Sequence, residues 1–185
     1  MVLSLDPARF DDTITPPAQI TAAEFREKVV LADGGVYDNL GLETTWKHNK
    51  TVLVSDAGGA LLNECDPAQD WLGQVDRILN VTYRQVVTLR KRSFIQLFKL
   101  GVRDGAYWGI GSDLASYQLP NALVCPPGVT AELAATPTRL TSTADPLQAQ
   151  LIDWGYAVCD AGMRRWVVKD APAPAQSPYG TFKKS

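Results

Sequence analysis

Histidine is nearly absent from this chain: 185 residues contain one, His48. It follows an expected helix, beside Lys47 and Lys50, and reads as a surface residue rather than a catalytic group. The three cysteines, Cys65, Cys125 and Cys159, are far apart and lack metal-ligand spacing. Their odd count argues against a complete disulfide framework and favours reduced thiols in a cytosol. No run of about 18 apolar residues exists, which excludes a transmembrane helix. The first residues, Met1 to Asp6, have neither a basic region nor a long apolar core, so no signal peptide is expected. A net charge of -2 and a pI near 5.4 give no reason to expect nucleic acid as a partner. No internal repeat is visible, and no cofactor or metal motif.

What is present is organised around Val29–Leu42. Val29 to Ala32 is a short apolar run ended by Asp33, Gly34 and Gly35. Such a run reads as a buried strand. Two glycines after it permit a sharp turn through φ > 0 and close approach of another segment. Asp38 or Asn39 is placed to cap a helix from Leu40 to about Trp46. Residues at the carboxyl ends of strands in open α/β sheets line the ligand crevice, which puts Asp33 at its rim. A plainer alternative is an Asp-Gly turn whose carboxylate only bonds its own backbone.

The longer string is more specific. Asp33-Gly34-Gly35-Val36-Tyr37-Asp38-Asn39-Leu40-Gly41-Leu42 resembles the second active-site motif of patatin-like phospholipases. Val52 to Gly59, the basic stretch Arg90-Lys91-Arg92 and Leu151 to Tyr156 extend the likeness over about residues 29 to 165. The resemblance implies a Ser–Asp dyad without histidine, in which the aspartate takes the serine's proton and a glycine-rich loop holds the oxyanion. Carried over, Asp33 is the general base and Gly34 and Gly35 shape its turn, with Tyr37, Asp38 and Asn39 as supports. Desolvation in a lipid-filled crevice would raise the basicity of such a carboxylate.

The nucleophile belongs on a Gly-x-Ser-x-Gly elbow upstream of the aspartate. No such pentapeptide occurs, and Ser4 is the only serine before Asp33. The 32 residues before Asp33 are too few for an elbow plus a βαβ crossover of roughly 30 residues. The sequence therefore reads as the C-terminal, aspartate-bearing part of a lipid acyl hydrolase, alone inactive. The alternative is a non-catalytic remnant that serves as an interaction or regulatory module. Ser55 and Ser112 are weaker nucleophile candidates, each more simply a turn residue.

Elsewhere, Val2–Leu5 is a candidate strand and Thr21–Lys28 a candidate helix with capping-box spacing. Thr51–Ser55 is a second strand, again followed by an aspartate and two glycines. Gln69–Leu100 is a long helix whose Arg77, Arg84, Arg90, Lys91 and Arg92 form either a solvated face or an edge for anionic headgroups. Ala106–Ile110 is a third strand, Thr130–Thr136 a short helix, and Asp145 the N-cap of a helix to Arg164, with Pro146 in its first turn. Its apolar face is Leu147, Leu151, Trp154, Val158 and Met163, and Gly155 is placed for a close approach. The expected fold is α/β, a partial three-layer α/β/α sandwich of patatin type on a mostly parallel sheet. Residues 1–169 make the domain, and 170–185 make a disordered tail rich in Pro, Ala, Ser and Lys. Expected partners are a lipid or acyl ester, a membrane surface, and either the missing N-terminal segment or a second copy.

Overall fold

A computed structural model describes residues 33–59, 63–126 and 128–184. The candidate strands at Val2–Leu5 and Val29–Ala32 and the candidate helix Thr21–Lys28 lie outside the described residues. The chain divides into two compact units, Met1–Asn39 and Leu40–Ser185.

In the first unit the described part is a turn and one short helix, α1 (Gly35–Asp38). Gly34 stands at its N-terminus in ordinary right-handed backbone, φ -59°. Neither Gly34 nor Gly35 has positive φ. The expectation of a left-handed glycine turn is thus corrected: Gly35 alone is crowded, as shown below. The helix expected over Leu40–Trp46 also shifts. Asn39 ends α1, and α2 (Leu42–His48) starts from Gly41 at φ 60°. Neither Asp38 nor Asn39 caps it. A left-handed backbone suits glycine, which lacks the Cβ that clashes there.

The second unit is mixed α/β. β1 (Thr51–Asp56) alternates exposed and buried side chains, the pattern of a strand with one covered face. The helix α3 (Trp71–Lys99) follows, capped by the Asp70 carboxylate, which accepts from the Gly73 N–H at 2.9 Å. It is one unbroken helix of 29 residues and leads to β2 (Asp104–Gly109). β1 and β2 pair in parallel, Thr51 opposite Asp104 through Asp56 opposite Gly109. This is the βαβ unit expected from the strand–helix–strand order.

Two apolar clusters flank β2. Val52, Val54, Leu42 and Phe94 pack together with Trp46, Phe98 and Tyr107 around them. Ala106 and Trp108 point the other way, into a larger cluster with Leu114, Tyr117, Trp154, Ala157, Val158 and Phe182. Alternation along one strand therefore serves two cores. Gly105 has φ 148°, and a Cβ there would stand 1.9 Å from the Val52 carbonyl oxygen. Only glycine lets the two strands and Phe98 close at this point.

The larger cluster is completed by α4 (Val129–Ala134) and α5 (Asp145–Gly162), which runs on as a π turn over Met163–Val167. Pro146 sits in the first turn of α5 as its fixed φ favours. Trp154, Val158 and Ala161 are fully buried, and the Trp154 indole N–H donates to the Ile110 carbonyl at 3.0 Å. Gly155 has open space around it, whereas a Cβ on Gly162 would lie 3.2 Å from the Trp108 ring. The close-packing glycine is thus about two helical turns beyond the expected one.

The stretch from Asp170, expected to be disordered, is folded onto this unit. β3 (Leu123–Val124) pairs antiparallel with β4 (Lys183–Lys184), and Phe182 is fully buried against Trp154. The fully buried Asp153 carboxylate accepts from the N–H groups of Tyr179 and Thr181, each at 2.8 Å. Burial opposes its ionisation, but these bonds and those from the Ser177 and Thr181 side chains hold its carboxyl below the usual range. Composition suggested a tail; one aromatic residue and one buried carboxylate anchor it instead.

Candidate functional site

Asp33 opens the first unit's described turn. Its Oδ1 accepts the Gly35 N–H at 2.6 Å, and its carbonyl accepts from the Val36 N–H at 3.0 Å. The carboxylate is exposed. A Cβ on Gly35 would stand 2.8 Å from this Oδ1 and 2.8 Å from the Asn39 Oδ1. Two side chains of the motif therefore fold over Gly35 from opposite ends of α1, and a larger residue there would push them aside. Gly34 has nothing within 4 Å of such an atom. Tyr37 is exposed, and Asp38 closes α1. The structure thus brings Asp33, Gly35 and Asn39 together.

A second aspartate terminates β1 in the other unit. Asp56 is 5% exposed. Its Oδ1 accepts the Gly58 N–H at 2.9 Å, and its Oδ2 accepts the Tyr107 hydroxyl at 2.7 Å and pairs with the Lys91 ammonium. The same ammonium lies 5.7 Å from the centre of the Tyr107 ring. Burial raises the cost of charge on Asp56, yet the bonds from Lys91, Tyr107 and Gly58 outweigh it and hold the carboxyl below its ordinary value. Burial, and then the Asp56 charge, push the Tyr107 phenol above its ordinary value, so it stays a donor. This carboxylate is fully engaged. It is an anchor joining β1, β2 and α3, not an idle base.

Ser112, in the turn after β2, accepts the Gly109 N–H on its Oγ at 2.9 Å. Ser55 is on the exposed side of β1, and His48 is exposed at the end of α2. The basic residues of α3 do not form one solvated face. Lys91 turns to Asp56, Arg77 meets Glu64 at 3.5 Å, Arg90 meets Glu43 at 3.8 Å, and Arg84 faces a cavity with Lys91. Among the described residues no group of His, Cys, Asp or Glu side chains could hold a metal ion. No described helix is long and apolar enough to cross a membrane.

Reading the residues in order missed the Asp56–Lys91–Tyr107 cluster. The signal in the sequence was Asp56 at the end of a β-rich run, with a glycine pair after Ala57. Its partners come from 35 and 51 residues further on, which no local pattern links. Comparison with family models, curated proteins and solved structures finds no match.

Proposed function

We propose that this chain is the aspartate-bearing part of a patatin-like lipid acyl hydrolase, with Asp33 as the general base of a Ser–Asp dyad. The observation that carries the reading is the Asp33–Leu42 string with its turn: an exposed carboxylate, steadied by one N–H, directly before a helical turn. A base needs one free lone pair toward the hydroxyl, and a second oxygen held in place keeps it aimed. In this reading β1 and β2 belong to a larger three-layer α/β/α sandwich, and the serine and its oxyanion hole come from a segment outside residues 1–185. Three free thiols fit a reducing, cytosolic setting.

The test is ester hydrolysis. The 185-residue chain alone should turn over no p-nitrophenyl acyl ester above background, since a base without nucleophile and oxyanion donors contributes little. Joined to a Gly-x-Ser-x-Gly segment encoded upstream, it should hydrolyse the ester and take up a fluorophosphonate probe. Turnover by the chain alone, abolished by Ser55→Ala or Ser112→Ala, would move the nucleophile into it.

One observation favours the alternative of a non-catalytic interaction module. The first turns of α3 leave Trp71, Leu72, Ile78 and Leu79 between 59% and 77% exposed. Apolar surface of that extent marks a contact site. In that case light scattering shows a dimer or larger species, and the upstream segment adds no hydrolysis. A dilution-resistant monomer that binds no hydrophobic dye sinks it.

A further inference from the structure

A cavity of about 490 Å³ opens beyond the carboxyl ends of β1 and β2, where ligand crevices form in α/β sheets. Four segments wall it: the loop after β1 with Gly58 and Gly59, the loop after β2 with Gly111 and Ser112, the α3 face bearing Arg84, Thr88 and Lys91, and the end of α4 at Ala134. Residues four and seven apart share a helix face, so the two cations stand one above the other on the same wall.

The charges of this lining do not cancel internally. Asp56 neutralises Lys91, and both Asp56 oxygens are occupied. Arg84 makes no hydrogen bond or ion pair among the described residues. The cavity therefore holds one guanidinium in excess, and Lys91 keeps two further N–H donors. Gly59 and Gly111 form two edges, and their N–H groups take no partner among the described residues. Ser112 accepts the Gly109 N–H and its side chain also bonds the Tyr117 hydroxyl, so it braces this edge of the cavity and is not counted among the free donors.

Donors from a helix and two loops surround the space on three sides. A planar carboxylate satisfies one side of such a cage, whereas a tetrahedral group with three terminal oxygens can meet all three. Arginine in particular matches phosphate through two parallel bonds. We infer that this cavity binds the phosphate group of a phosphomonoester, with Arg84 as its principal cation and Lys91, held by Asp56, as the second. A larger cavity of about 930 Å³ shares Gly111, Ser112 and Ala134 with it and is lined by Leu114, Leu119, Leu123 and Trp154. An apolar continuation beside the phosphate admits either a small soluble ester or a lipid headgroup with its chain. Every residue invoked lies in the unit Leu40–Ser185, so the inference stands apart from the role of Asp33.

The test is calorimetric titration of the full chain with inorganic phosphate and with glycerol 3-phosphate, beside co-sedimentation with phosphatidylcholine vesicles containing or lacking phosphatidate. Saturable one-to-one binding of both soluble ligands is expected. Arg84→Gln should weaken it about tenfold to a hundredfold, the worth of a charge-assisted pair. Arg84→Lys should restore part of that loss. Arg139→Gln, which removes the same charge from an exposed position outside the cavity, should leave affinity unchanged. Should Arg84→Gln fail to fold by circular dichroism, Arg84→Met replaces it, with the same loss expected. Vesicle binding that needs phosphatidate and is displaced by glycerol 3-phosphate identifies a headgroup as the source; soluble binding alone identifies a free ester. No saturable phosphate binding, or equal weakening in Arg84→Gln and Arg139→Gln, overturns the inference.

Discussion

Asp33 and Asp56 each precede a pair of glycines, and each accepts the N–H of the residue two places on, at 2.6 and 2.9 Å. In both loops a Cβ on that glycine would strike the aspartate's own oxygen, at 2.8 Å for Gly35 and 2.9 Å for Gly58. Beyond this shared turn the two part. Asp33 is exposed, with one described bond to its carboxylate; Asp56 is buried, with a phenol, an ammonium and an N–H upon it. The same local chemistry yields an exposed carboxylate in one place and a structural tie in the other. Environment, not the turn, separates the roles.

Substitutions can break this contrast, and the largest effect is kinetic. In the proposed hydrolase, completed by a nucleophile segment, Asp33→Asn should lower kcat about 10²–10⁴-fold, the usual contribution of a positioned base. KM and the melting temperature should move little. Asp56→Asn should do the reverse. It strips charge from a buried pair and leaves Lys91 facing a neutral group, costing about 2–3 kcal/mol of stability in a urea melt. A near-normal kcat in Asp33→Asn, with an inactive but stable Asp56→Asn, would transfer the base to β1.

Acid sharpens the same distinction. The folded carboxyl of Asp56 lies below its unfolded value near 3.8, so the unfolded chain binds more protons between the two. Its contribution to stability is complete above about pH 5 and is lost as pH falls through 3.8 and below. Asp153 has the same sign and adds to the slope. Urea midpoints should therefore fall from pH 6 to pH 3, and less steeply in Asp56→Asn. An unchanged slope in that variant would show that Asp56 is not held as described.

Smaller effects test the glycines. Gly58→Ala should cost about 1–2 kcal/mol, because the new methyl displaces the Asp56 oxygen in a packed site. Gly59→Ala, with nothing within 4 Å, should be nearly neutral. Gly35→Ala should disturb hydrolysis more than stability, since the Asp33 carboxylate it displaces is exposed. Asp38→Asn should have the smallest effect of all, within about 0.5 kcal/mol and without a kinetic change, as a surface substitution at the end of a single turn.

Much of the order of elements was legible before any coordinates. β1 at Thr51–Asp56, α3 at Trp71–Lys99, β2 near Ala106 and α5 from Asp145 follow from β-branched runs, helical spacing and the Asp–Pro start, all of which act over a few residues. The apolar spacing of α3 was less informative about its burial. Val87 and Phe94 are its buried side chains, while Ile78 and Leu79 stay exposed, because a helix of 29 residues outruns the six-residue strands beneath it. The order of the C-terminal stretch was illegible for a related reason. Its proline- and lysine-rich composition is that of a tail, and only the distant Asp153 and Trp154 give Phe182 and its neighbours a place.

The sequence by itself determined that β1 would end in an aspartate with a glycine pair close behind it, since apolar runs, turn residues and short-range bonds to a nearby N–H are local. It also determined the resemblance that makes Asp33 the candidate base. Only the tertiary structure decided that Asp56 is a tie, that Arg84 stands in a cavity with no partner among the described residues, and that Phe182 is held in the core. Each depends on groups brought together from 25 or more positions apart, and burial, charge pairing and the loss of water at such a meeting are properties of the packed chain.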